Sequence, residues 1–134
     1  MENNFQKLWK KKKLPMINGL CKSDGTFYKL EDGKLIKTAI PIKKYDISHV
    51  YINAQIEHQG TTYFCGEGSW GDDGFLVALK DNTISWLFSG DLNPLEKLWI
   101  EDENIHVLNN CKVEWVIPLA EPEKALASAG AESL

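Results

Sequence analysis

Hydrophobic and polar positions change rhythm once along the chain. In residues 2–13, Phe5, Leu8 and Trp9 fall at i, i+3 and i+4, which predicts a short amphipathic helix. Lys10, Lys11, Lys12 and Lys13 follow that stripe, where cations suit a helix C-terminus. After Pro15 the apolar residues recur at every second position instead. Residues 26–31 and 34–40 flank Asp32-Gly33, a two-residue hairpin signal. Residues 47–57 alternate, with Val50, Ile52, Ala54 and Ile56 predicted on one face and Tyr51, Asn53, Gln55 and Glu57 on the other. His58-Gln59-Gly60 then turns the chain into a strand over 61–65. A loop over 66–74 leads to a second hairpin, 75–80 and 83–89, around Asp81-Asn82. Strands over 95–101, 104–108 and 112–119 complete a meander.

This pattern predicts a mainly β chain: an antiparallel meander of about seven to nine strands, curled or folded into a small sandwich, with a short N-terminal helix. Leu79-x-Asp81-x-x-Ile84-x-Trp86-x-Phe88 is echoed by Leu108-x-Asn110-x-x-Val113-x-Trp115-x-Ile117, which predicts inward-facing Trp86 and Trp115. The copies are unequally spaced, so they report hairpin physics rather than a solenoid. One mostly-β domain is expected over residues 1–119. Residues 120–134 read as a C-terminal tail, a frayed helix starting at Pro122 or a disordered segment, because their apolar content is mostly Ala.

Composition adds one asymmetry to an ordinary globular mix. The chain has 134 residues, 43% hydrophobic and 25% charged, with a formal net charge of -4. All 15 cationic residues are Lys, and Arg is absent, which argues against a dedicated nucleic-acid binder. Residues 1–44 carry 11 Lys and 4 acids, whereas residues 45–134 carry 4 Lys and 15 acids. An acidic surface built by the second part of the chain draws cationic partners to it.

Cys21, Cys65 and Cys111 are odd in number and lack C-x-x-C spacing, so reduced thiols and a cytoplasmic chain are expected. Lys10 to Lys13 followed by Leu14 to Cys21 has the outline of a signal or lipoprotein segment. Its apolar stretch is short and broken by Pro15 and Asn18, and Leu20 stands where a lipoprotein signal needs a small residue. No transmembrane run is present, so no membrane partner is expected.

The search for chemistry favours binding. His49, His58 and His106 do not fall at metal-ligand spacing, and His58 facing Cys65 would supply only two ligands. Asp72-Asp73-Gly74 lacks the alternating oxygens of a calcium loop. Ser69 in Gly68-Ser69-Trp70-Gly71 does not form a nucleophile elbow. No metal, cofactor or catalytic residue is therefore predicted. The loop over 66–74 does set Trp70 among Glu67, Asp72 and Asp73, and Asp91 sits in a second turn. If Trp70 stands exposed, an aromatic ringed by acids suits a basic partner; if it folds back, it is a lid on the core.

One stretch carries a resemblance. Trp86-Leu87-Phe88-Ser89-Gly90-Asp91-Leu92-Asn93-Pro94, then Asn104-Ile105-x-x-Leu108-Asn109-Asn110, then Trp115-x-Ile117-Pro118-Leu119, resembles small bacterial proteins that look like immunity proteins of polymorphic-toxin and contact-dependent growth inhibition systems. The resemblance implies a cytoplasmic protein that neutralises one cognate toxin domain by binding it, without catalysis. The expected partner contacts are Glu67, Trp70, Asp72, Asp73 and Asp91. A small-ligand or carbohydrate-binding β module is the alternative. A shared apolar pocket holding Trp70 and Tyr63 would favour that reading.

Overall fold

The computed structural model describes residues 2–39 and 46–128. Helix α1 (Glu2–Lys10) buries Phe5 and Trp9, as the stripe requires. It ends earlier than the sequence pattern predicts. Lys11 and Lys12 close it with amide bonds to Leu8 and Trp9 carbonyls, and Lys12 turns left-handed at φ 57°. The lysine run thus leaves the helix, and Lys12 Nζ lies 4.6 Å above the Trp9 ring.

Among the described residues thirteen strands follow, more than the alternation predicts. β1 (Lys13–Met16), β2 (Gly19–Lys22) and β13 (Leu126–Ala127) are too short to display a period of two. β3 (Phe27–Glu31) and β4 (Lys34–Thr38) form the first predicted hairpin, although residue 40 of its predicted second strand lies outside the described residues. The predicted strand over 47–57 is two strands, β5 (Asp46–His49) and β6 (Tyr51–His58). Val50 separates them, and its amide bonds to the Lys12 carbonyl. Beyond these come β7 (Thr61–Glu67), β8 (Gly74–Lys80), β9 (Thr83–Gly90), β10 (Leu95–Glu101), β11 (Asn104–Asn109) and β12 (Glu114–Pro118).

All pairings are antiparallel. The main sheet runs β4-β3-β2-β9-β8-β7-β6, a smaller sheet runs β10-β11-β12-β13, and β1 pairs with β5 in a two-stranded ribbon. The fold is mainly β with one short N-terminal helix. The main sheet is covered on both faces. Leu20, Leu76, Trp86 and Phe88 meet Leu95, Ile105, Val107, Trp115 and Ile117 of the smaller sheet. On the other face, Cys21, Phe75, Val77 and Leu87 meet Phe5 and Trp9 of the helix and Leu14 of the ribbon. β8 and β9 therefore read as nearly unbroken apolar runs, as strands buried on both faces do.

Trp86 and Trp115 both point into the inter-sheet core, and Trp115 meets Phe88 edge-on at 5.1 Å. Val50, Ile52, Ala54 and Ile56 do not share a face. The β6–β7 register shifts between Ile52 and Ala54, making Asn53 a bulge. A bulge reverses the alternation beyond it, so Val50 and Ile52 pack on the helix side and Ala54 and Ile56 between the sheets.

Residues 120–128 are neither a loose tail nor an α-helix. Pro122–Lys124 forms a 3-10 turn, Ala125 is buried in the inter-sheet core, and β13 pairs with β12. Residues 129–134 lie outside the described residues. Among the described residues, no helix is long and apolar enough to cross a membrane.

Candidate functional site

The loops beside the start of β8 and the end of β9 form an open cavity of about 250 Å³. The loop over 68–73 is its main wall. Ser48 anchors that loop: its Oγ accepts the Ser69 amide at 2.8 Å, lies 3.0 Å from Ser69 Oγ and donates to the His49 carbonyl. Gly68 leaves no room for a Cβ, which would overlap the Asp73 carboxylate. Asp73 is only 4% exposed, and its Oδ1 accepts the Trp70 amide at 3.3 Å. That closure turns the Trp70 ring outward to 64% exposure. Of the two states open to it, Trp70 takes the exposed one rather than the lid.

The opposite wall comes from distant parts of the chain. Asn18 takes a left-handed φ of 51°, and its Oδ1 accepts the Asp91 amide at 3.0 Å. Gly90, at φ 134°, presses against the Asn18 backbone where no side chain fits. Buried Ser89 ties this corner to the ribbon by donating to the Pro15 carbonyl and accepting the Ile17 amide. Asn109 braces the loop after Asp91 by donating to the Leu92 carbonyl at 2.8 Å. Met16 and Asp46 arrive on the paired ends of β1 and β5.

Trp70, Asp72, Asp73 and Asp91 thus line one cavity, together with Asp46, Asn18, Met16 and Gly90. Glu67 is not part of it. Its carboxylate accepts the Asn53 side-chain amide at 3.1 Å, on the side of the bulge in β6. Asp46 had no signal in the sequence, because only the β1–β5 pairing carries it to this corner. Among the described residues, four carboxylates and no cationic side chain line the cavity. Burial, and after it the charge of Asp72, raises the Asp73 carboxyl above its ordinary range. Asp73 Oδ2 is buried with no hydrogen-bond partner.

This arrangement suits a cationic group better than a metal ion or a covalent step. Among the described residues, no group of three or more His, Cys, Asp or Glu side chains is close enough to hold a metal. The two serines face each other, and His49 offers them only its backbone carbonyl. His58 and Cys65 do not meet: His58 pairs with Thr61, while Cys65 lies opposite Ala54. Cys65 is fully buried, and burial pushes its thiol up to about 12. Trp70 and Tyr63 line separate cavities, so the shared pocket of the carbohydrate reading does not form. No protein-family model, curated protein or solved structure matches the chain.

Proposed function

We propose that the chain is a non-catalytic immunity protein that neutralises a cognate, basic toxin domain by binding it at the acidic cavity. The observation that carries this reading is an exposed Trp70 on the rim of a cavity lined by Asp46, Asp72, Asp73 and Asp91. A Lys or Arg side chain of the partner enters between the carboxylates, with its charge against the Trp70 face. Aromatic anchors beside desolvated charges are where binding energy concentrates. Asp46, Asp72 and Asp91 make the contacts. Buried Asp73 holds the Trp70 backbone rather than reaching outward.

Co-expression with the toxin domain encoded beside this chain tests the reading. Growth is expected to be rescued by the unaltered chain and lost with the Asp72→Lys/Asp91→Lys variant. Continued killing in the presence of the folded, unaltered chain would refute it. Each reversal is expected to cost about 2 kcal/mol of affinity or more, at the lower end of losses for truncated interfacial charge pairs.

A further inference from the structure

A second cavity lies at the other end of β8. Gly74 opens that strand beside the acidic loop and Lys80 closes it, a separation of about 20 Å along the strand. The second cavity measures about 280 Å³ and opens where the two sheets part at their hairpin tips. His58, Thr61 and Lys80 stand on three neighbouring strands in one cross-strand row. Tyr63 lies one inward position deeper, buried against Trp86. Glu103 faces this row from the β10–β11 turn of the smaller sheet.

Three features of this cavity ask for a ligand. His58 Nε2 is buried and has no hydrogen-bond partner among the described residues, an uncommon state for a buried polar atom. Lys80 and Glu103, both solvent-exposed, bring opposite charges to one cavity, and neither forms an ion pair among the described residues. Glu103 also holds a left-handed φ of 61°, a position that Gly or Asn adopts more readily. A glutamate kept there at a conformational cost is explained if its carboxylate is used.

We propose that this cavity binds a small zwitterion of the free α-amino acid class. The ligand carboxylate meets the donors on the main sheet, Lys80 Nζ, His58 and the Thr61 hydroxyl. Its ammonium meets Glu103 on the opposite wall. A simple anion would face the repulsion of Glu103, and a simple cation that of Lys80; only a ligand carrying both charges matches both walls. Burial raises the Tyr63 phenol above its ordinary range, so it closes the floor with a neutral group. The cavity is slightly below the usual span for drug-sized ligands, which selects a compact molecule over a peptide.

The test is a titration of the isotopically labelled full chain with each standard L-amino acid, read by NMR at the His58 imidazole. His106, bonded to Glu114 on the smaller sheet, serves as the internal reference. The expected result is a saturable His58 shift with at least one amino acid and no change at His106. The N-acetyl and carboxamide forms of that compound should each bind about tenfold more weakly, as should the natural compound with Lys80→Gln or Glu103→Gln. Thermal midpoints of both variants confirm that they fold. The proposal is overturned if no amino acid shifts His58, which leaves a cavity filled by water. Equal binding of acetate or methylamine, or undiminished binding by both folded variants, overturns it as well.

Discussion

The two ends of β8 carry cavities lined from different strands and charged in opposite styles. At the Gly74 end, four Asp side chains share a cavity with no cation among its described lining residues. At the Lys80 end, one ammonium, one carboxylate and an imidazole face each other, and the formal charge of the walls balances. The scaffolding differs too. Side chains tie the acidic end together across long stretches of sequence: Asn18 to Asp91, Ser89 to Pro15 and Ser48 to Ser69. Tight two-residue turns make the other end, with Gln59-Gly60, Asp81-Asn82 and Asp102-Glu103 all left-handed. A net charge of -4 conceals this division. One end gathers carboxylates and is suited to receive a partner's cation. The other is suited to a molecule that brings both signs.

The largest change should destroy both ends together. Phe88 is fully buried in the sheet between them, and Phe88→Ala is expected to cost about 3–5 kcal/mol in urea unfolding. Spectral changes should appear at Asp91 and His58 alike. Loss at one end alone would show that the ends are not coupled through this core. A smaller change should separate them. Gly90→Ala drives a Cβ into the Asn18 backbone at an unfavourable φ, and is expected to cost about 1–3 kcal/mol. Amide exchange should quicken at Asn18 and Asp91 and stay unchanged at His58.

The opposite sign is expected at the other end. Glu103→Gly relieves the left-handed strain and should raise stability by up to about 1 kcal/mol while weakening zwitterion binding about tenfold or more. A destabilised variant would show that the turn needs the Glu side chain.

The smallest effect concerns Asp73. Its carboxyl is raised above the unfolded value of 3.8 by burial, so the folded state holds its proton more tightly. The resulting stability is fully present below the unfolded value and is lost as pH rises through the folded one. Asp73→Asn should flatten that part of the stability–pH curve. An unchanged slope would place the titration elsewhere.

The sequence made the long hairpins visible and the corners invisible. Asp32-Gly33 and Asp81-Asn82 announce themselves because left-handed pairs favour those residues, and β8 and β9 are apolar enough to register as strands. The loop holding Trp70, Asp72 and Asp73 was legible from its glycines and charges. Asp46 and Asn18 were not, since four-residue strands and side-chain-to-backbone ties carry no periodic signal. The Asn53 bulge was hidden for a related reason: alternation continues on either side of it while the inward face changes. Glu103 sits in the turn between β10 and β11, where the alternation carries no sign of what it faces. Its partners His58 and Lys80 lie on the other sheet, and only the packing of the sheets brings them together. The C-terminal β13 is two residues long and owes its place to Ala125 filling the core.

The most direct test of the acidic end as the binding surface is calorimetry of the toxin domain proposed as partner against three folded chains: the unaltered protein, Trp70→Ala/Asp72→Lys, and Lys80→Gln. Trp70 and Asp72 are exposed, so their replacement should alter folding stability by about 0.5 kcal/mol or less each. Affinity is expected to fall by about a hundredfold or more in the Trp70/Asp72 variant, through lost anchor and charge, and to stay unchanged in Lys80→Gln. Full affinity in the Trp70/Asp72 variant, or a loss confined to Lys80→Gln, would contradict the assignment of the acidic end as the partner surface.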